Sequence, residues 1–200
     1  MRELDPMRTA VVGVHWQHEV VSPDGVFGPF FAEQVARHRV ASYAAQVATA
    51  VRASGGLVVY TRVAHRPGYP DLIPNTPSFA MVREEQAFLE GAPKARIIDE
   101  LTPEAGDVVV THVRLTGFFG TELDTVLRRR GVDTLLFTGV ATNLSVTGTV
   151  FEAVNHGYRP VVVSDACTAA TDETHRASLE TLGQLGEVVT AAEVVDRLSR

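Results

Sequence analysis

Six short runs of β-branched and other apolar residues recur along the chain, at positions 9–14, 56–61, 107–111, 134–139, 160–165 and 187–190, each bounded by turn residues. Within them apolar side chains follow one another without in-and-out alternation, the pattern of strands buried on both faces. A parallel sheet covered by helices is therefore expected. The intervening segments carry helical spacing. Val35, Val40, Tyr43, Val47 and Val51 recur along one face of a helix predicted over 32–53, which Gly55 and Gly56 stop. Thr121 is placed to cap a helix with an acid, Asp124, at its third position, and Gly131 ends it. Further helices are predicted from about 143 to 155, ahead of Gly157, and over 172–185. Residues 64–100 hold Pro67, Pro70, Pro74, Pro77 and Pro93 and are expected to be irregular, serving as a lid, a binding loop or an oligomer contact. Strand and helix alternate throughout, which predicts an α/β fold: a doubly wound, Rossmann-like three-layer sandwich with a six-stranded, mainly parallel sheet, spanning 1–200 as a single domain.

Composition narrows the classes of function. The 200 residues are 45% hydrophobic, enough for one sizeable core. Eighteen basic against 24 acidic residues leave a net charge of -6, which repels phosphate backbones and anionic lipid. No nucleic-acid partner is expected. No apolar run approaches the ~20 residues that span a bilayer, so no membrane role is expected either. A single cysteine, Cys167, cannot form an intrachain disulfide, and Met1 to Pro6 lack the apolar core of an export signal, which points to the cytoplasm. Gly13 sits inside its strand and no glycine-rich phosphate loop follows any strand, so no nucleotide cofactor is indicated and none of another kind is expected.

In a doubly wound sheet, ligands bind at the carboxyl ends of the strands. Three polar residues stand where buried runs stop: His15 after the first, His112 after the third and Ser145 after the fourth. A serine near a helix start is ordinarily a cap, and a histidine after a strand is ordinarily structural. Their shared position at the strand ends suggests that these three converge.

The stretch Val11-Val12-Gly13-Val14-His15-Trp16-Gln17-His18-Glu19 resembles the first motif of the isochorismatase-like, or cysteine hydrolase, family. His112-Val113-Arg114-Leu115-Thr116-Gly117-Phe118-Phe119-Gly120-Thr121 is similar to its second motif, and Gly139-Val140-Ala141-Thr142-Asn143-Leu144-Ser145-Val146 to its third. The resemblance runs through Asp165-Ala166-Cys167 and covers about residues 8–197. It places the family's catalytic aspartate on His15, its lysine on His112 and its nucleophilic cysteine on Ser145. These substitutions are chemically consistent with one another. A hydroxyl is far less acidic than a thiol and needs a positioned base, for which imidazole is the usual choice. A buried lysine deprived of its carboxylate would be costly to keep, and His112 in its place leaves the site neutral.

The resemblance therefore implies a hydrolase of a small-molecule amide or ester. Ser145 would attack the carbonyl, His15 would take its proton, and His112 would donate a hydrogen bond or orient the substrate. Backbone N–H groups around Ala141 and Ser145 would hold the oxyanion, aimed by a cis peptide between Val140 and Ala141. Glu19 is the nearest carboxylate to orient His15. The resemblance also puts Trp16 and Phe118 at the pocket wall, where either could instead be core or a dimer contact, and implies a homo-oligomer. Gln17, His65, Val140 and Ala141 are expected at the substrate as well. His15, His18, His65 and His112 could instead supply imidazoles to a metal, but the family's metal-binding members use an Asp-x-His pair that the stretch ending at His65 lacks, so no metal is assigned. Two other classes remain open: proton transfer by His15 and His112 in a lyase or isomerase, and a catalytically inactive binding protein.

Overall fold

A computed structural model describes residues 3–199. Met1 and Arg2, on which the N-terminal reading partly rests, lie outside the described residues, as does Arg200. The strands are β1 (Thr9–Val14), β2 (Leu57–Val63), β3 (Val108–His112), β4 (Thr134–Val140), β5 (Arg159–Thr168) and β6 (Glu187–Val189). The α-helices are α1 (His18–Val21), α2 (Gly28–Arg37), α3 (Val40–Ala53), α4 (Pro77–Glu84), α5 (Leu123–Arg129), α6 (Thr147–Asn155), α7 (Asp172–Leu182) and α8 (Ala191–Leu198). Every strand pairs in parallel, in the order β3-β2-β1-β4-β5-β6.

Alternate residues of one strand enter opposite cores. Val11, Val58, Leu136 and Val163 face Val47 and Val51 of α3 and Val194 of α8. On the other face Val12, Val59, Leu135 and Phe137 meet Leu123 and Leu127 of α5, Val150 of α6 and Leu182 of α7. The inner strands are buried on both faces, as their unbroken apolar runs imply, whereas the edge strands β3 and β6 leave Val109 and Val188 exposed despite the same pattern. The strand order reverses between β1 and β4, the place where such sheets leave a crevice at their carboxyl ends. Gly139 permits the close approach there. Its φ is 137°, and a Cβ at this position would come within 2.2 Å of the Val14 carbonyl oxygen.

The helices depart from expectation in places that local pattern does not mark. The single helix predicted over 32–53 is two, because Arg39 adopts a left-handed φ of 54° between α2 and α3 while the apolar spacing carries on across the break. The proline-rich stretch is not irregular throughout. Pro77 occupies the first turn of α4, where its missing N–H costs nothing, and the Thr76 side chain accepts from the Phe79 N–H. Thr121 lies one residue further out than a cap, with Glu122 at that position, although its hydroxyl still accepts from the Leu123 N–H. A π turn over Thr142–Val146 leads into α6, and α7 stops at Leu182. The sequence reading missed α8, whose start carries a Thr190 and Glu193 capping box that could have marked it. No helix among the described residues is long and apolar enough to cross a membrane.

Candidate active site

The β1, β3 and β4 ends bring the three expected residues to one region, with His15 and Ser145 in a common cavity. His15 follows β1 directly and holds a left-handed φ of 56°, a conformation uncommon away from glycine that clusters at functional positions. Its backbone N–H still donates to Thr61 O, so β2 anchors it while the side chain turns off the sheet. His112 is the last residue of β3. Its Nε2 lies 3.0 Å from His15 Nε2, and the two rings stack with centroids 4.9 Å apart.

Hydrogen positions follow from what each partner can do. His112 Nδ1 lies 2.9 Å from the Arg114 carbonyl oxygen, which only accepts, so the hydrogen is on Nδ1. The Nε2 of a neutral His112 then carries the lone pair. His15 Nε2–H donates to it, and His15 Nδ1 is left as a free base. Burial holds both rings neutral: it pushes His15 well below the usual imidazole range, with the neighbouring His112 acting in the same direction, and lowers His112 to about 4. Glu19, the carboxylate expected to orient His15, is elsewhere engaged, accepting from the Val26 N–H at 3.1 Å. An imidazole occupies the orienting position instead.

This arrangement predicts acid sensitivity. Between pH 6.5 and about 4 the unfolded chain binds a proton at His112 that the folded chain refuses, so stability falls as pH falls. The contribution from His112 alone between pH 7 and pH 5 is about 2 kcal/mol. Urea denaturation of wild type and His112→Leu at both pH values should show a shallower pH dependence in the variant. Identical dependence would contradict the buried neutral pair.

Ser145 lies in the π turn ahead of α6 and is buried, with 6% of its surface exposed. Together with His15, His65, Val140 and Ala141 it lines a cavity of about 390 Å³. The peptide between Val140 and Ala141 is cis. No hydrogen bond joins Ser145 Oγ to either imidazole among the described residues, and contacts of this kind commonly tighten only around substrate. His112 is not in the cavity wall and reaches it through His15.

Three residues expected at the substrate are placed elsewhere. Trp16 is fully buried and its indole N–H donates to Thr138 Oγ1. Gln17 is also fully buried, donating to the carbonyls of Val63 and Ala95 and accepting from the Val63 N–H, so it ties the end of β2 to the loop before β3. Phe118 stacks on His156 and contacts Tyr158 in the core beneath α5. None of the three is in the cavity wall; each has its polar groups satisfied or its ring packed in the interior. His18 turns toward Ser22. Among the described residues no group of three or more His, Cys, Asp or Glu side chains is arranged to hold a metal ion. Cys167 is buried and donates toward Phe137 O, and burial pushes its thiol up to about 12, the behaviour of a structural cysteine.

The sequence reading overlooked Arg114 and Phe79. Both line the cavity, and the guanidinium lies 4.5 Å over the Phe79 ring. Arg114 also donates to Ile73 O and Asn75 Oδ1, clipping the proline-rich segment over the site. Arg114 stands two residues after His112, but nothing local indicates that α4 folds back to meet it.

Comparison with known proteins agrees with this architecture. A family model described as the isochorismatase domain matches residues 9–194. Ureidoacrylate amidohydrolase of Methylobacterium radiotolerans is 33% identical over 189 residues, covering 88% of this chain and 73% of that protein. A crystal structure of a cysteine hydrolase from Pseudomonas syringae pv. phaseolicola superposes with a TM-score of 0.91 at 29% identity, covering 100% of this chain and 96% of that one. N-carbamoylsarcosine amidase from Thermoplasma acidophilum superposes at 0.76 with 28% identity, over 92% of this chain and 96% of its own.

Proposed function

The chain belongs to the isochorismatase family of hydrolases, and on that premise we propose that it cleaves a small-molecule amide or ester through Ser145, His15 and His112. The observation that carries the proposal is the chain of hydrogen bonds from the Arg114 carbonyl through His112 to His15. It leaves His15 Nδ1 unprotonated in the residue that shares a cavity with Ser145. Ser145 Oγ attacks the carbonyl carbon as His15 Nδ1 takes its proton. Positive charge developing on His15 is met by the His112 lone pair, a charge-assisted hydrogen bond stronger than its neutral counterpart. The backbone N–H groups of Ala141 and Ser145, both residues of the cavity wall, hold the oxyanion. Collapse of the tetrahedral intermediate passes the proton to the leaving amine or alcohol. Water then releases the acyl group by the reverse sequence. The relatives named for amide hydrolysis support the amide as the first choice of bond.

A fluorophosphonate tests the nucleophile. Incubation should add one phosphonyl group per chain, and peptide mapping should place it on Ser145. Absence of an adduct, under conditions that label an ordinary serine hydrolase to completion, would favour proton-transfer chemistry or binding without turnover.

A further inference from the structure

One buried histidine of the cavity wall takes no part in the mechanism above. His65 is fully buried, and its residue lines the same cavity as His15 and Ser145. Its Nδ1 lies 3.3 Å from Asp71 Oδ1. A carboxylate only accepts, so Nδ1 carries the hydrogen and Nε2 of the neutral ring the lone pair. Burial keeps the ring neutral, outweighing the opposing pull of Asp71. That Nε2 has no hydrogen-bond partner among the described residues. Native structures rarely leave a buried acceptor unpaired, and the exceptions call for a reason.

The surroundings suggest what the acceptor awaits. Five aromatic rings line the cavity: Phe27, Phe30, Phe31, Phe79 and Phe88, drawn from the start of α2, from α4 and from the loop after it. Among the described residues no carboxylate is in the wall. Such a wall favours a flat apolar body, held by ring contacts, with specificity left to a few polar groups.

We infer that the site takes an aromatic amide or ester whose ring system bears an N–H or O–H group, and that His65 Nε2, oriented by Asp71, selects it by accepting that hydrogen. The inference rests on the hydrolase reading for the bond that is cleaved, but not for how the ring is held. An analogue lacking the donor would leave the buried acceptor unpaired, the situation in which polar sites discriminate most strongly.

Indole and benzothiophene serve as probes, since they share nearly one shape and only indole carries an N–H. In titrations of the whole protein followed by NMR, indole should bind about five- to tenfold more tightly than benzothiophene. His65→Leu should abolish this preference while changing benzothiophene affinity less than about twofold. Asp71→Leu frees the ring to move its hydrogen to Nε2, and should weaken the preference too. Melting curves identify any variant that fails to fold; if His65→Leu is one, Asp71→Leu decides. Equal affinities in wild type, a preference surviving these substitutions, or no binding of either probe at millimolar concentration would overturn the inference. Binding is read without breaking a bond. A failure here is thus distinguishable from a failure of Ser145 to react.

Discussion

Ser145→Ala is expected to lower kcat for hydrolysis by about 10³-fold or more while leaving the fold intact. The hydroxyl is the only part of the side chain removed, the residue sits in a π turn whose capping bonds are made by backbone groups, and its own carbonyl continues to accept from Thr149 Oγ1. Substrate binding should change little, because the cavity wall is otherwise untouched. The loss therefore belongs in kcat rather than KM, the sign of an interaction formed on the way to the transition state. Single-turnover measurements on a chromogenic aryl ester or anilide would show it, with circular dichroism confirming the fold. Retention of turnover within about tenfold of wild type would remove Ser145 from the mechanism and leave the two imidazoles to act alone.

His15→Ala should cost a similar factor, about 10³-fold in kcat, and should be partly restored by free imidazole entering the space the ring vacates. His112→Leu should cost less, roughly 10- to 100-fold, because it removes one hydrogen bond to a charged intermediate and leaves the base in place. The pH profile carries a further sign. Both rings are held below the ordinary imidazole range by burial, so wild-type activity should stay level as pH falls through 6.5, where an exposed histidine base would already be losing its lone pair. An acid limb centred near 6.5 would mean that the base is solvated and that the buried pair is not the working group. Failure of imidazole to rescue His15→Ala, with the variant folded, would point to a packing role.

The meeting of the three candidate residues in one region could be expected before any coordinates. His15, His112 and Ser145 each follow a run of apolar residues, and a parallel sheet sends such residues to one edge whatever the helices do. The residues beside them could not be read the same way. Trp16 and Gln17 follow His15 in sequence, yet the left-handed turn at His15 directs them into the interior. Phe118 belongs to the same motif as His112 and packs in the opposite core. Glu19 was the nearest carboxylate along the chain, but His112, 97 residues away, is what touches His15. Sequence distance carries no information about contact once the chain has crossed between strands.

The unbroken apolar runs, alternating with helical segments, pointed by themselves to a mainly parallel α/β sheet and to the polar residues at its carboxyl edge, because strands that carry helices on both faces bury both rows of side chains. Tertiary structure alone decided the chemistry of that edge. The tautomer of His112 is set by a carbonyl two residues away that only the folded loop aims at it, and through His112 the free lone pair of His15. The aromatic wall is assembled from segments far apart in the chain, and it shares its cavity with His65, whose Nε2 has no hydrogen-bond partner among the described residues. Hydrophobic pattern is a property of neighbours in sequence, whereas proton position and cavity shape are properties of neighbours in space.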